Sequence, residues 1–417
     1  MANYTEPEER SLTNAHITDT SHMRGENSSL NISAYYENNE SDYFQFTHAT
    51  QTEKFLLDFI HVLDEFGVPI LLIVGVLTNI LLCITIRHSE LKKVSTYSYF
   101  YALGIVDSLY LIVMAVPWLS PRLIDIYNMK GFCQLIYYLN ILTTFLSSWY
   151  IVLLLFERLV VSYRPDTARK YFNAFRTKCY LTAVSIFAIV GHLYLTWTSG
   201  VFYFPQIKRQ LCTVVQENYE DIIVMRKIDT VFAFILPVLL ATLFLVPLLI
   251  YLCASSFKCT NGMLRVRTRM ITVEVRLNSK RKKKRYSECP SCSSDRMRDV
   301  HKHRLLAISE SRRLTIMTIL LAFVYVILSL PHNVIKSKIA FLNGDYIVTP
   351  EDSTLLKLFE DLFNVNFVHK GIMYFLLLPE MRKNFLKLFC RCFKRNAKKE
   401  IIKENPEGKD KCIVTTL

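Results

Sequence analysis

The chain contains little of what enzymes and secreted scaffolds are built from. No nucleophile–base pair and no glycine-rich nucleotide loop stands out, which argues against catalysis. Its eleven cysteines are scattered through apolar segments, which excludes a disulfide-dense secreted domain. Cys289-Pro-Ser-Cys292 with His301 and His303 has the residue types of a zinc site, but the spacing fits no zinc ribbon, so neither metal nor cofactor is expected. The first 55 residues hold no apolar signal-peptide core, so the first membrane segment is expected to direct insertion itself. Paired inverted repeats and matching broken helices, the marks of a small-solute transporter, are also missing. Basic residues are scarce near the start, where residues 1–65 carry twelve acids against three Lys/Arg, a net of −9.

What is present is apolar and, elsewhere, strongly basic. Of 417 residues 51% are hydrophobic, yet the formal charge is +14. Mean hydropathy is +0.23. Membrane spans plus concentrated basic segments account for both properties. Residues 1–63 read as a disordered acidic tail that buries no core. Its four glycosylation sequons, at Asn3, Asn27, Asn31 and Asn39, place it outside the cell.

Six apolar spans follow, at about Phe66–Ile86, Tyr97–Leu119, Cys133–Tyr163, Cys179–Trp197, Lys227–Cys253 and Leu314–Ala340. Asp58, Asp64 and Glu65 precede the first; Arg87, His88, Lys92 and Lys93 follow it, an asymmetry that puts the N-terminus outside. Residues 258–313 carry seventeen Lys/Arg against five Asp/Glu, net +12, and form a cytoplasmic loop. Lys280–Arg285 is an unbroken basic cluster suited to anionic lipid rather than to nucleic acid. Hydropathy misses a seventh span, but a tail outside and a basic far end inside require an odd number. Read as a helix over 354–378, Glu360, Asn364, Phe367, Gly371 and Tyr374 share one face, and Leu355, Leu358, Leu362, Val365, Ile372 and Leu376 share another. The fold expected is therefore all-α: a seven-helix membrane bundle over 64–378, an amphipathic surface helix at 379–393, and a cytoplasmic tail at 394–417.

The residues inside these spans carry a resemblance. Asn79 lies in the first and Leu103-Gly-Ile-Val-Asp107 in the second. Cys133 opens the third, which ends in Glu157-Arg158, with Pro165 seven residues on. Phe234-Ile-Leu-Pro237, Pro331 and Tyr374 complete the set. Together they resemble rhodopsin-like G-protein-coupled receptors, over about residues 60–393, and within that family the chain looks most similar to invertebrate neuropeptide receptors of the FMRFamide-like or thyrotropin-releasing-hormone-like kind. The departures are specific. Leu159 replaces a Tyr, Leu245 another, Ser329 a Trp, and Lys370-Gly371 an Asn-Pro; the fourth span lacks its Trp.

The resemblance implies an extracellular ligand, outward movement of the sixth span, and a heterotrimeric G protein that touches Arg158 beside Glu157, with Pro165 and Tyr374 in the same machinery. Arrestin and receptor kinase are implied partners. Cys133 pairs with Cys212, which lies in the only long external loop. Where retinal-binding relatives need a lysine the chain has Asn364, and where amine receptors have an aspartate it has Asn140. A large polar cavity formed by Tyr137, Asn140, Thr144, His332, Asn333, Lys336, Glu360 and Asn364, with both charge signs, suits a peptide. In many relatives a second-span Asp holds sodium with a Ser and two Asn; the matching residues here are Asp107, Ser147, Asn366 and Lys370. The Lys370 ammonium either takes the place of the ion beside Asp107 or snorkels to the inner interface. Cys390 and Cys392 are candidate palmitoylation sites, and Thr415-Thr416-Leu417 resembles a PDZ-binding terminus.

Overall fold

The computed structural model describes residues 51–205, 208–214, 219–260, 293–341 and 350–387. The four sequons, the Lys280–Arg285 cluster, Cys289 and Cys292, the candidate acylation cysteines and the C-terminus at Leu417 lie outside them.

Helices dominate because a backbone in hydrocarbon must satisfy its own N–H and C=O groups. Six helices among the described residues are long and apolar enough to cross a membrane: Phe55–Arg87, Ser95–Leu119, Phe132–Tyr163, Ala174–Thr198, Ile222–Ala254 and Ser309–Phe341. They are spans one to six. A seventh is built from three pieces, Pro350–Asn364, a 3₁₀ turn Val365–Phe367, and His369–Leu377. The molecule is a seven-transmembrane helix bundle, as expected.

Several boundaries differ from those read in the sequence. Span one begins at Gln51, so Asp58 lies on a helix rather than in a disordered tail, and Asp64 and Glu65 follow on the same helix. The cause is that its outer turns are tied down: Trp118 Nε1 donates to Asp64 O at 2.9 Å, Arg122 reaches Glu65 Oε2 at 2.6 Å, and Lys357 reaches Asp64 Oδ1 at 3.3 Å. The helix of span six begins at Ser293, so the last part of the basic 258–313 segment is helical rather than loop. In the second internal segment, Pro165 opens a short helix, Pro165–Tyr171, where its fixed φ and missing N–H are tolerated. Asn173 caps the start of span four by accepting from Arg176 N at 2.9 Å. Ahead of span three, Gly131 takes φ 87°, a turn that other residues adopt only with strain.

The one β element among the described residues is a hairpin, β1 (Ser199–Phe204) paired antiparallel with β2 (Arg209–Val214), Val201 opposite Cys212. An all-α expectation missed it, although Val201-Phe-Tyr-Phe204 before a proline carries a strand signal. The Cys133–Cys212 disulfide fastens β2 to the N-terminal end of span three. Cys212 N also donates to Asn128 Oδ1 at 2.8 Å.

After span seven, residues 379–387 are helical. Met381 is fully enclosed and Arg313 on span six approaches Glu380 Oε1 at 3.5 Å. Phe100 stacks on Tyr374 with ring centroids 4.3 Å apart, and Tyr97, Leu103, Leu154 and Leu155 are enclosed around them.

Candidate functional site

Near the C-terminal end of span three, Glu157 and Arg158 are both buried. Arg158 Nη2 donates to Glu157 Oε1 at 2.6 Å, and Ser95 and Thr96 at the start of span two donate to the same oxygen, each at 2.9 Å. The adjacent acid and base therefore pair with each other, and the acid is also tied to the neighbouring span, while Glu157 Oε2 and Arg158 Nε have no hydrogen-bond partner among the described residues. Neither hydroxyl was singled out from the sequence, because their proximity depends on how span two packs against span three. Tyr374 is fully enclosed, its ring against Phe100 and its hydroxyl without a hydrogen-bond partner among the described residues.

A polar core lies one level further out. Asp107 is fully enclosed, Lys370 is 1% exposed, and Lys370 Nζ lies 2.8 Å from Asp107 Oδ1. Ser147 Oγ accepts from Lys370 Nζ at 2.6 Å and donates to Asp107 Oδ1 at 2.8 Å. The lysine points into the bundle, so the alternative in which it snorkels to the inner interface does not occur. Asn366 Nδ2 donates to Ser329 Oγ at 3.1 Å, linking span seven to the position where a Trp was expected. Asn79 Nδ2 donates to Phe367 O at 2.9 Å, capturing a carbonyl in the 3₁₀ turn. That turn advances the helix phase between Asn364 and His369. Asn364, Asn366, Phe367, Lys370 and Gly371 are all buried around it.

Nearer the Cys133 end, one cavity is lined by Asn140 and Thr144 of span three, Phe234 of span five, His332 and Lys336 of span six, Tyr110 of span two, and Glu360 and Phe363 of span seven. It is narrow, ≈ 30 Å³, room for about one or two waters. Among the described residues this cavity is smaller than the large one expected from the sequence. Tyr110 fills part of it by stacking on Phe367 at 3.5 Å and donating its hydroxyl to Asn364 Oδ1 at 2.6 Å. Asn364 is consequently withdrawn into the helix packing, and Tyr137 and Asn333 stand outside the lining as well. His332 stacks on Phe363 at 4.9 Å. Thr144 spends its hydroxyl on the carbonyl of Asn140 at 2.9 Å. Lys336 Nζ lies 4.9 Å from the centroid of the Phe234 ring, a cation–π distance, and no ion pair within 4.0 Å joins it to Glu360. Glu360 is only half-buried.

Seven membrane-crossing helices, a disulfide-tethered hairpin at one end, a buried Glu-Arg pair at the other, and a polar core between them define a helical-bundle membrane receptor. The family model described as 7 transmembrane receptor (rhodopsin family) matches residues 78–369, and the chain belongs to that family of signalling receptors. A search of curated proteins finds no match.

Proposed function

We propose that this receptor lies in the plasma membrane with its acidic tail outside, binds a neuropeptide at the Cys133 end, and activates heterotrimeric G proteins at the Arg158 end. The observation that carries the ligand class is that Glu360 and Lys336, of opposite charge, line one cavity with Asn140 and His332 without an ion pair between them. A peptide offers groups of both signs and many amides. A simple amine would leave Lys336 unmatched, and the span-three position that would bind it is the neutral Asn140. Opening of the narrow cavity on binding accompanies the outward movement of span six that the family implies.

At the inner face, release of Arg158 from Glu157 supplies a cation to the G protein, and the helical basic extension of span six from Ser293 adjoins that surface. Arrestin and receptor kinase would meet the same face. Acylation at Cys390 and Cys392, a PDZ contact at Leu417 and anionic lipid at Lys280–Arg285 belong to the same proposal. The deciding experiment is a calcium and cyclic-AMP screen of the expressed receptor against a neuropeptide library. A peptide that raises either signal, and fails to do so without the receptor, supports the reading. Uptake of a labelled solute with no G-protein signal would favour a transporter instead.

A further inference from the structure

Glu360 lines the cavity with no ion pair within 4.0 Å among the described residues, although two lysines flank it. Lys336 of span six shares the cavity, and its ammonium rests 4.9 Å from the centroid of the Phe234 ring. Lys357 stands three residues before Glu360 on the helix Pro350–Asn364. Residues at that spacing are neighbours on a helix surface, and opposite charges there attract. Lys357 does not make that pair. Its ammonium reaches across to span one and lies 3.3 Å from Asp64 Oδ1. Asp64 is held in place to receive it. Trp118 Nε1 of span two donates to Asp64 O at 2.9 Å, and Arg122 Nη2 lies 3.4 Å from Asp64 Oδ2. Arg122 is fixed in turn. It pairs with Glu65 Oε2 at 2.6 Å, donates to Trp118 O at 2.8 Å, and lies 4.3 Å from the centroid of the Trp118 ring.

We propose that Asp64 is a specificity-determining residue of this receptor: by binding Lys357 it keeps that ammonium off Glu360, so that the Glu360 carboxylate is left to a cationic group of the ligand. This role rests on Glu360 being a ligand contact, and Asp64 itself lines no part of the cavity. A lysine three residues away is a tethered competitor, present at an effective concentration that a free ligand has to exceed. Removing Asp64 frees that competitor. Asp64→Asn keeps the backbone carbonyl that Trp118 uses and a side chain of similar shape, but a neutral amide no longer holds an ammonium. Lys357 then turns to Glu360, and the site loses its charge at a distance from the substitution. Lys357 and Asp64 are both partly exposed and Glu360 is half-buried. Each possible pair is therefore a modest one, and a single change of partner tips the balance between them.

The first measurement needs no ligand. Lysine amines of the purified full-length receptor are dimethylated with a ¹³C reagent, which keeps their charge. The Lys357 methyl signal is assigned by its loss in Lys357→Arg. With Asp64 intact, Glu360→Gln leaves that signal in place. In Asp64→Asn the signal moves, and adding Glu360→Gln moves it again, because Glu360 has become the partner. A signal that responds to Glu360→Gln with Asp64 intact overturns the proposal. So does one that ignores Glu360→Gln after Asp64→Asn, which would put the freed lysine on Asp361 or in solvent. The second measurement uses a basic peptide agonist from the library screen, at matched surface expression. Asp64→Asn weakens its potency about two- to fivefold. Asp64→Asn with Lys357→Met restores it, since the competitor is gone. Lys357→Met alone leaves potency unchanged, a check that holds even where Asp64→Asn fails to fold. Potency that Lys357→Met does not restore gives Asp64 a structural role only and overturns the proposal. If no peptide signals at all, the ligand reading fails by itself, and the methyl signals still decide whether Asp64 holds Lys357 off Glu360.

Discussion

Asn366 donates its side-chain amide to Ser329 Oγ across 3.1 Å, and both residues are almost wholly enclosed between spans six and seven. This contact stands where a large aromatic was expected on span six. A small hydroxyl in its place leaves room for the amide and gives it an acceptor. Ser329→Ala therefore strands a buried donor on a residue whose Oδ1 is already without a partner. The expected loss is about 1–3 kcal/mol, read as a lower unfolding midpoint of the purified receptor. Ser329→Trp is expected to cost more, because a far larger side chain would have to fit where Ser329 is fully enclosed. An unchanged midpoint in Ser329→Ala would remove the contact from any stabilising role.

Gly371 is a second close approach. Alanine in a helix is ordinarily better than glycine by about 1 kcal/mol. Here an added Cβ would meet Asn79 Oδ1 and Thr78 Oγ1 at 2.8 Å and Thr78 Cβ at 3.0 Å. The β-branched Thr78 cannot swing aside cheaply. Gly371→Ala should thus lower the unfolding midpoint, reversing the usual sign. A rise would mean that spans one and seven can part at no cost.

Glu157 accepts from three donors at once, Ser95, Thr96 and Arg158. Glu157→Gln leaves the Arg158 guanidinium buried without a counter-charge. Breaking a buried pair by removing one member costs about 3–5 kcal/mol. Thr96→Val removes one hydroxyl from the same oxygen and should cost about 1 kcal/mol. The two variants, compared by thermal unfolding, should differ clearly; equal losses would show that the charge of Glu157 contributes nothing beyond its hydrogen bonds.

Glu360 is half-buried rather than enclosed, so solvent screens it. Once a peptide agonist is in hand, Glu360→Gln is expected to weaken its potency about tenfold, or about 1.4 kcal/mol. Receptor at the cell surface must be matched between the two. Equal potency would dissociate Glu360 from the ligand and weaken the charge argument for a peptide.

How much of this was legible in the chain depends on range. Six spans were visible because twenty or so apolar residues in a row admit almost no other fate. The seventh came from parity and one polar seam, since its lysines, acids and amides hide it from hydropathy. Asp107 and Lys370 were also readable, because charged groups are rare inside membrane helices and attract notice; Ser147 and Asn366 joined them only through the family resemblance.

Tertiary structure settled the rest. Whether Lys370 reaches inward or down to the interface depends on helix depth and rotation, and both are set by the 3₁₀ turn Val365–Phe367, which Asn79 holds from another span. The width of the ligand cavity depends on Tyr110 folding onto Phe367, a contact between residues 257 positions apart whose strength is packing rather than pattern. Local sequence determines which segments are helical and apolar, because those preferences act within a few residues. Which oxygen a buried ammonium meets is decided by how seven helices turn toward one another, and that is a property of the assembled bundle alone.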